Sequence, residues 1–484
     1  MAKLASKPKK SFLKQIRESL EDLEACHDVD LKESYRLPEK KKVRVSIKQY
    51  PIQLSLRPDG RALHLYPENP LDAAHHDDEP AAYILFDPEQ FYTGISGFLR
   101  LEGGDKITIG PKEADHLAQL GIDPPSERLL SITNRDGHLV FKNHSGKLGS
   151  CISPLTSGKK INRIANWRYD KLKHIREIFG GPIELLSQKD ALALIKSVNE
   201  RNTKEAYRAK DNKGRLGGVL ALPKKLNPIL VGDLHAKPDN LLTLLTQNNF
   251  LESLEDGSAS LIILGDAVHR EDKGHYEEME SSLLMMDLIF KIKLRFPDQV
   301  FYICGNHDSF SNEIGKAGIP QGLLWKKAII KNRGKEYLTE MENFYAQLPL
   351  LAYSKNFIAC HAAPPVSDIC INDLVNGLGN NKLYRELTSN RLRAPHRPGG
   401  YAKGDIKRLR KCLDVAEDTP VVVGHTPLSL DQSLWERVGD IENHYIVYGS
   451  HEDWISTLTM VAGRLRPLLY PVEPVTPLIN SLND

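Results

Sequence analysis

The chain has 484 residues, of which 40% are hydrophobic and 26% charged, and its formal net charge is +2. Since this length exceeds one ordinary domain, the sequence predicts two or three folded units. The hydrophobic content is that of a folded soluble protein, and the small net charge gives no general electrostatic reason to expect nucleic acid as a partner.

The six cysteines lie at positions 26, 151, 304, 360, 370 and 412, without a short paired spacing. We therefore expect reduced thiols and a cytoplasmic environment, with neither a disulfide framework nor a zinc knuckle. No apolar run approaches the ~20 residues of a membrane helix. The basic stretch 1–14 lacks the apolar core of a secretory signal, which leaves signal-independent export as an alternative.

The first 42 residues are rich in charged side chains, and apolar residues at positions 12, 16, 20 and 23 recur at helical spacing. This pattern predicts a charged, mobile leader, 1–42, with a short amphipathic helix. From Val43 the hydrophobic period changes to two, with a turn at Pro58-Asp59-Gly60 and further β-like runs as far as Ile152. The sequence therefore predicts an all-β sandwich over residues 43–155.

Several motifs of this β module are similar to those of the forkhead-associated domain: Ile107-Thr108-Ile109-Gly110, Ser126-Glu127-Arg128, the stretch from Asn134 to Phe141, and Ser145 to Ser150. The similarity is partial, because Pro111 stands where that family has arginine and Leu129 stands where it has histidine. The resemblance implies a fold that binds phosphothreonine, whereas the departures favour a scaffold or a surface on which a protein partner docks.

Residues 156–225 return to helical spacing. Ser187 and Asp190 resemble a capping box, and Leu192, Ile195 and Val198 then recur every third residue. We expect a helical connector that packs on the domain that follows it.

Five apolar runs after position 226 end in side chains that can bind metal, and they are the stretches Ile229–His235, Leu261–Arg270, Val300–Asp308, Phe357–Pro364 and Val421–Pro427. In the first run, Asp233 and His235 are two positions apart, so on an extended chain they point to the same side. Helix-compatible segments separate several of the runs. The strands are therefore expected to gather their C-terminal ends at one sheet edge, where α/β proteins place their ligands.

In their order along the chain, these motifs resemble the calcineurin-like metallophosphoesterases, most closely the phosphoprotein phosphatase branch typified by the serine/threonine phosphatases. That family carries Asp-x-His, Gly-Asp-x-x-x-Arg, Gly-Asn-His-Asp or Gly-Asn-His-Glu, a strand-end histidine, and a final Gly-His or Ala-His. The resemblance covers roughly residues 226–460. It implies an α/β fold, a metallophosphoesterase β-sandwich flanked by helices, for a catalytic domain over residues 226–475.

The resemblance also implies a site for two metal ions that share Asp266. Mixed oxygen and imidazole donors suit manganese, iron or zinc without choosing among them. The implied nucleophile is a water that bridges the two ions. By resemblance the first ion is held by Asp233, His235 and Asp266, and the second by Asp266, Asn306, His361 and His425.

His307 resembles the histidine with which the family protonates the leaving oxygen, a role suited to a group that titrates near neutrality. In the protein phosphatases an aspartate precedes the arginine of the second motif and pairs with this histidine, but His269 occupies that place here. Either Asp308 or another carboxylate orients His307, or the acid step is tuned differently.

Arg270 matches the first arginine that binds the phosphoryl group in this family. Arg397 lies before the helix-like stretch that feeds the last strand, where those phosphatases place a second arginine. We therefore predict Arg270 and Arg397 as phosphate-binding residues, with Arg391 and Arg393 as alternatives to the second.

The last motif separates subclasses of the family. Nucleases and many cyclic-nucleotide phosphodiesterases have Gly-His-x-His, whereas Pro427 replaces the second histidine here. This departure favours a metal-dependent phosphomonoesterase whose substrates are phosphoproteins. Two alternatives remain: a hydrolase of nucleotides or dinucleoside polyphosphates, and a phospho-dependent binding protein with a vestigial catalytic domain.

Overall fold

A computed structural model describes residues 26–45, 50–56, 62–67, 82–111, 117, 120, 125–135, 137–145, 149–155, 158–362, 364–461 and 463–482. The leader helix and the turn at positions 58–60 lie outside these residues. The chain divides into two compact units, Met1–Asn166 and Trp167–Asp484. Among the described helices, none is long and apolar enough to cross a membrane.

In the part of the first unit that the structure describes, there are two β-sheets and a short helix, Pro88–Thr93. The sheets have the strand orders β1-β3-β10-β9-β8 and β2-β11-β4-β5-β6-β7. Their strands are β1 (Cys26–Val29), β2 (Tyr35–Arg36), β3 (Lys42–Val45), β4 (Ile52–Ser55), β5 (Ala62–Pro67), β6 (Ala82–Phe86), β7 (Leu99–Glu102), β8 (Lys106–Ile109), β9 (Leu130–Arg135), β10 (His138–Asn143) and β11 (Cys151–Pro154).

Alternate side chains from both sheets meet in one hydrophobic core. Val43, Leu54, Leu85, Ile132 and Phe141 are each 0% exposed and belong to this single cluster. Since successive residues of a strand point to opposite faces, the period of two seen in the sequence becomes a buried and an outer face. The prediction of a β-rich N-terminal module is thus confirmed, and its forkhead-associated character stays a prediction.

Residues 26–42 differ from the predicted charged leader, because they contribute strands to both sheets of this unit. Strand β1 pairs in parallel with β3, with Cys26 opposite Lys42, and Arg44 donates to both carboxylate oxygens of Asp28 at 2.5 and 2.8 Å. Most of β1 is exposed. Because backbone pairing rather than apolar burial holds this strand, its sequence shows no hydrophobic period.

The second unit contains two further sheets, with the strand orders β12-β13-β17-β18-β19-β21-β20 and β16-β15-β14-β22-β23. Their strands are β12 (Arg208–Lys210), β13 (Leu216–Ala221), β14 (Asn227–Val231), β15 (Ala259–Ile263), β16 (Val300–Tyr302), β17 (Leu351–Ser354), β18 (Phe357–Cys360), β19 (Val421–Val423), β20 (Leu434–Glu436), β21 (His444–Val447), β22 (Trp454–Val461) and β23 (Arg464–Pro471).

Along the chain, helices precede, separate and follow the strands of these sheets. The boundary between the two units falls within the first of these helices, Gly158–Phe179. The helix Gln321–Gln347 is interrupted at Gly334, whose φ is 86°. The α-helices are Gly158–Phe179, Gln188–Asn202, Pro238–Thr246, Phe250–Glu255, Glu280–Arg295, Gln321–Gln347, Ile371–Val375, Asn381–Ser389, Lys403–Cys412 and Val475–Asn480, and the 3₁₀ turns are Gly377–Gly379 and Val438–Asp440.

The predicted helical connector, 156–225, contains two helices, but its last part differs from the prediction. Strands β12 and β13 pair in antiparallel fashion and extend the seven-stranded sheet. A Cβ at Gly217 would lie 2.5 Å from the carbonyl oxygen of Val375, so this strand needs glycine where the chain passes it. Since glycine in a strand resembles a loop in sequence, the local pattern hides β13.

The two sheets of the second unit share one core, which contains Leu230, Ile262, Phe301, Ala359 and Val422. Strands β14, β15 and β16 are mutually parallel neighbours, and β18 and β19 form a parallel pair. Parallel neighbours end at the same edge of their sheet, so β14, β15 and β16 present their polar residues at one edge, and β18 and β19 present theirs at an edge of the other sheet. The predicted α/β sandwich with flanking helices is confirmed.

Candidate active site

All six predicted metal ligands follow the C-terminal ends of β14, β15, β16, β18 and β19. One ligand atom each from Asp233, His235 and Asp266 lies within 4.8 Å of the other two, and the same holds for Asp266, His361 and His425. Asn306 joins the second group, since its Oδ1 lies 3.0 Å from His361 Nε2. The structure therefore assembles two groups of donors that share Asp266.

Two glycines allow the carboxylates to approach this closely. A Cβ at Gly305 would lie 2.1 Å from Asp266 Oδ1, and a Cβ at Gly424 would lie 2.1 Å from Asp233 Oδ1. The backbone amide of His307 instead donates to Asp266 at 2.7 Å, and the amide of His425 donates to Asp233 at 2.9 Å. Each glycine thus belongs to one motif and makes room for the acid of another.

Charges on the donors affect one another strongly because the carboxylates are almost fully buried; Asp233 and Asp266 are each 1% exposed. Burial raises the pKa of Asp233 to about 6. Burial also acts to raise the pKa of Asp266, but nearby His361 and His307 lower it below its usual range. Burial acts to lower the pKa of His361, yet the two carboxylates raise it to about 9. Two adjacent buried carboxylates with few cationic partners favour a bound cation.

Hydrogen bonds also orient two of the histidine rings so that one nitrogen of each is left for a metal. His235 Nδ1 lies 3.1 Å from the carbonyl oxygen of His269, and His361 Nδ1 lies 2.6 Å from that of Leu264, which leaves Nε2 of each ring for a ligand. His425 Nε2 is buried without a hydrogen-bond partner among the described residues, and burial lowers the pKa of His425 well below its usual value. Imidazoles anchored through one ring nitrogen to a backbone carbonyl, with carboxylates nearby, are typical of metal ligands, so this donor set fits metal ions.

The comparisons with known proteins agree with this geometry. The model of the calcineurin-like phosphoesterase family matches residues 227–452. This part of the chain is a calcineurin-like phosphoesterase domain. The chain therefore carries a phosphoesterase enzyme domain, as the order of the motifs predicted, and the match spans all six donors.

Solved structures similar to this chain include a serine/threonine phosphatase from Saccharomyces cerevisiae with similarity to human phosphatase PP5. It is 15% identical, covers 60% of this chain and 90% of its own, and has a TM-score of 0.42. A cold-active protein tyrosine phosphatase of a psychrophilic Shewanella species is 13% identical, covers 52% of this chain and 82% of its own, and has a TM-score of 0.35. No curated protein matches the chain.

His307 lies beside the donors of the phosphoesterase domain and is 8% exposed. Its Nδ1 lies 3.0 Å from Nδ1 of His269, so one ring donates to the other. His269 is 0% exposed, and its backbone amide donates to Ser282 Oγ at 3.0 Å. The ring partner of His307 is therefore the residue that replaces the family's aspartate, and the motif position identified in the sequence was the signal for it.

Asp308, which the sequence offered as an orienting residue, organises the backbone instead. Its carboxylate accepts from the Gly305 amide at 2.8 Å, from the Asp266 amide at 3.3 Å and from the Tyr302 hydroxyl at 2.7 Å. Burial raises the pKa of Asp308 to about 7. These contacts link the loop after β15 to the loop after β16, and thereby fix the shared donor Asp266.

Arg270 is the last residue of the second motif, and its side chain is 30% exposed. Its Nε and terminal nitrogen both donate to Asp272 Oδ2, at 2.9 and 2.7 Å. Lys237 contacts the other oxygen of the same carboxylate at 2.8 Å. Asp272 therefore holds two cations near the first donor group.

The three arginines considered for the second phosphate contact occupy one loop, residues 390–401. Burial and neighbouring Arg397 lower the pKa of Arg391, while Asp233 and Glu271 act to raise it. The charge of Arg391 also contributes to the low pKa of His425. Arg391 thus interacts electrostatically with the donors, and Arg397 stands beside Arg391.

Sequence reasoning missed Glu271, which follows Arg270 directly. Its Oε2 lies 3.6 Å from His235 Nε2, the nitrogen left for a metal. The same oxygen contacts Lys316 Nζ at 2.5 Å and the Tyr448 hydroxyl at 3.4 Å. These partners come from three segments that are distant along the chain. The only sequence signal for Glu271 was therefore its position directly after the second motif.

Proposed function

We propose that the phosphoesterase domain is a dinuclear-metal phosphomonoesterase whose substrates are phosphoproteins. The observation that carries this proposal is the pair of donor groups that share the buried carboxylate of Asp266. Asp233 and His235 would complete the site of the first ion, and Asn306, His361 and His425 that of the second. Manganese, iron or zinc suits this mixture of oxygen and imidazole donors.

The bound ions would supply Lewis acidity and a nucleophilic water near neutral pH. The arginines of this chain would hold the phosphoryl oxygens as negative charge develops on them. Arg270 serves one side, where Asp272 positions its guanidinium. We assign Arg391, rather than Arg397, to the other side of the phosphoryl group. The charge of Arg391 interacts electrostatically with Asp233 and His425.

His307 would stabilise the leaving oxygen. If His269 Nδ1–H donates across the 3.0 Å contact, the proton of His307 resides on Nε2, the nitrogen available to the leaving oxygen. His269 would then be a positioning residue, in the place where the protein phosphatases use a carboxylate. Burial lowers the pKa of His307 to about 4, so this interaction would be a hydrogen bond from a neutral ring.

The preference for phosphomonoesters of proteins rests on the last motif. Pro427 provides no donor where nucleases and cyclic-nucleotide phosphodiesterases have a histidine. The remaining donor set matches the branch that includes the protein phosphatases. The same branch includes dinucleoside-polyphosphate hydrolases, so the substrate assay must include nucleotides.

The test is a substrate panel on the full chain reloaded with manganese: an aryl phosphate, phosphoserine, phosphothreonine and phosphotyrosine peptides, nucleotides and dinucleoside polyphosphates. We expect aryl phosphate and phosphopeptide turnover that Asp233→Asn and His425→Ala abolish. Asp170→Asn, an exposed carboxylate in the helix Gly158–Phe179, is the matched control. Full turnover in both site variants would reject the site, a preference for nucleotides would favour the nucleotide hydrolase, and absence of metal-dependent turnover would favour a binding protein.

A further inference from the structure

A cavity of about 380 Å³ opens beside the donors of the phosphoesterase domain. Ala362 and Gly424 line it, and they are the chain neighbours of the donors His361 and His425. Arg391, Arg393 and Arg397 line it as well. A substrate whose phosphoryl group lies at the donors can therefore place a neighbouring group in this cavity.

The cavity carries positive charge without a matching carboxylate. None of the described residues that line it is acidic, and within the described part of the chain no ion pair joins Arg391, Arg393 or Arg397 to an acid. The Arg393 side chain donates from Nε to the carbonyl oxygen of Gly400 at 3.2 Å. Arg391 and Arg397 are half-buried and Arg393 is exposed, and the planar fork of a guanidinium group matches the geometry of a carboxylate.

The remaining lining offers contacts to a peptide. Tyr401 is 2% exposed and its hydroxyl lies 2.7 Å from His444 Nε2, so its ring has no open face on which a base could stack. His396 is the exposed ring of the described lining. At the rim, Leu428 is 52% exposed, and nearby Leu430 is 95% exposed. Such side chains can contact an extended polypeptide.

We propose that this cavity selects protein substrates with an acidic side chain next to the phosphorylated residue. The inference rests on the proposed function and adds its substrate class. Arg393 and Arg397 pair with the carboxylate, while Arg391 remains available to the phosphoryl group. The loop 390–401 is thereby a specificity element of the site.

The experiment compares two phosphopeptides that differ only in glutamate or glutamine next to the phosphorylated residue. With wild-type chain and manganese, we expect kcat/KM to be about fivefold to tenfold higher for the glutamate peptide, as for one charge-assisted hydrogen bond in a partly solvated site. Arg393→Gln and Arg397→Gln should each reduce this ratio toward one, and Arg393→Glu should invert it. Arg295→Gln, on the helix Glu280–Arg295, makes the same charge change on another element and should keep the ratio.

A second readout does not depend on turnover of the peptides. An unphosphorylated hexaglutamate peptide should inhibit aryl phosphate hydrolysis competitively in wild-type chain and less strongly in Arg393→Gln, and salt should weaken the inhibition. Aryl phosphate turnover without peptide selectivity would overturn the inference and leave the phosphomonoesterase intact. Turnover of nucleotides but of no phosphopeptide would overturn both the inference and the proposed substrate class.

Discussion

Replacing Gly424 by alanine would place a methyl group against the carboxylate of Asp233. The added Cβ would lie 2.1 Å from Asp233 Oδ1, whereas real Cβ contacts stay beyond 3.0 Å, so the carboxylate must move by about 1 Å. Asp233 has little freedom to move, because it is 1% exposed and accepts the amide of His425 at 3.1 and 2.9 Å. The substitution therefore tests whether the close approach of two motifs is needed for the site.

Two losses follow from this displacement. Weakening the hydrogen bonds to a charged, buried carboxylate should lower the free energy of unfolding by about 1.5–3 kcal/mol. A misplacement of about 1 Å in a metal donor should reduce kcat/KM for an aryl phosphate by about a hundredfold. Gly424→Ala should also weaken manganese binding, since Asp233 belongs to one of the two donor groups.

The assays are calorimetric titration of the metal-free chain with manganese, urea unfolding and aryl phosphate hydrolysis. Gly379→Ala is the matched control, because a Cβ at Gly379 would meet nothing within 4 Å and its φ is not positive. If Gly424→Ala bound manganese and hydrolysed the substrate within about twofold of Gly379→Ala, the steric account of the site would be refuted.

Three further predictions concern metal, the missed carboxylate and pH. Chelation should abolish turnover, and manganese at a hundredfold excess over its dissociation constant should raise the free energy of unfolding by about 2.7 kcal/mol; an unchanged unfolding midpoint would contradict this. Glu271→Gln should weaken manganese binding by about tenfold in calorimetry, because its carboxylate lies 3.6 Å from His235 Nε2, and exposed Glu277→Gln should not. Burial raises the pKa of Asp287 to about 6. The folded chain therefore holds this proton more tightly than the unfolded chain, and the free energy of unfolding falls as pH rises from about 4 to about 6. Arg333→Leu removes the cation 2.6 Å from Asp287, which should extend this fall above pH 6 and cost about 3–5 kcal/mol at pH 7; equal stability of the variant at pH 5 and pH 7 would contradict it.

The placement of the donors was predictable because its causes are local. An apolar run that stops at Asp233 or at His425 marks a strand end, and parallel strands carry their ends to one sheet edge. The sequence therefore predicted which residues would come together, and the structure places their ligand atoms within 4.8 Å in each group. The sequence shows that Gly305 and Gly424 belong to motifs. It does not show that each glycine leaves space for a carboxylate of another motif, because that contact depends on the fold.

The contacts missed by the sequence link segments that are far apart along the chain. Glu271 meets Lys316 and Tyr448, and Arg391 acts on Asp233 from a loop with no regular hydrophobic period. Loop conformation sets such pairs, and no short spacing encodes them. Strands β1 and β13 were hidden for another reason: exposure in the first and glycine in the second remove the alternation by which strands are recognised.

The site also concentrates backbone conformations that ordinary side chains avoid. The φ angles are 38° at His235, 50° at Asp266, 69° at His269 and 64° at His425. Each left-handed residue other than glycine costs about 1–2 kcal/mol, and glycine would relieve the strain only by removing the donor. Burial of apolar side chains in the strands before these residues offsets this strain, since each fully buried Val, Leu or Ile stabilises the fold by about 1.5–3 kcal/mol. The apolar runs that reveal the site in the sequence are therefore also what holds its donors in place.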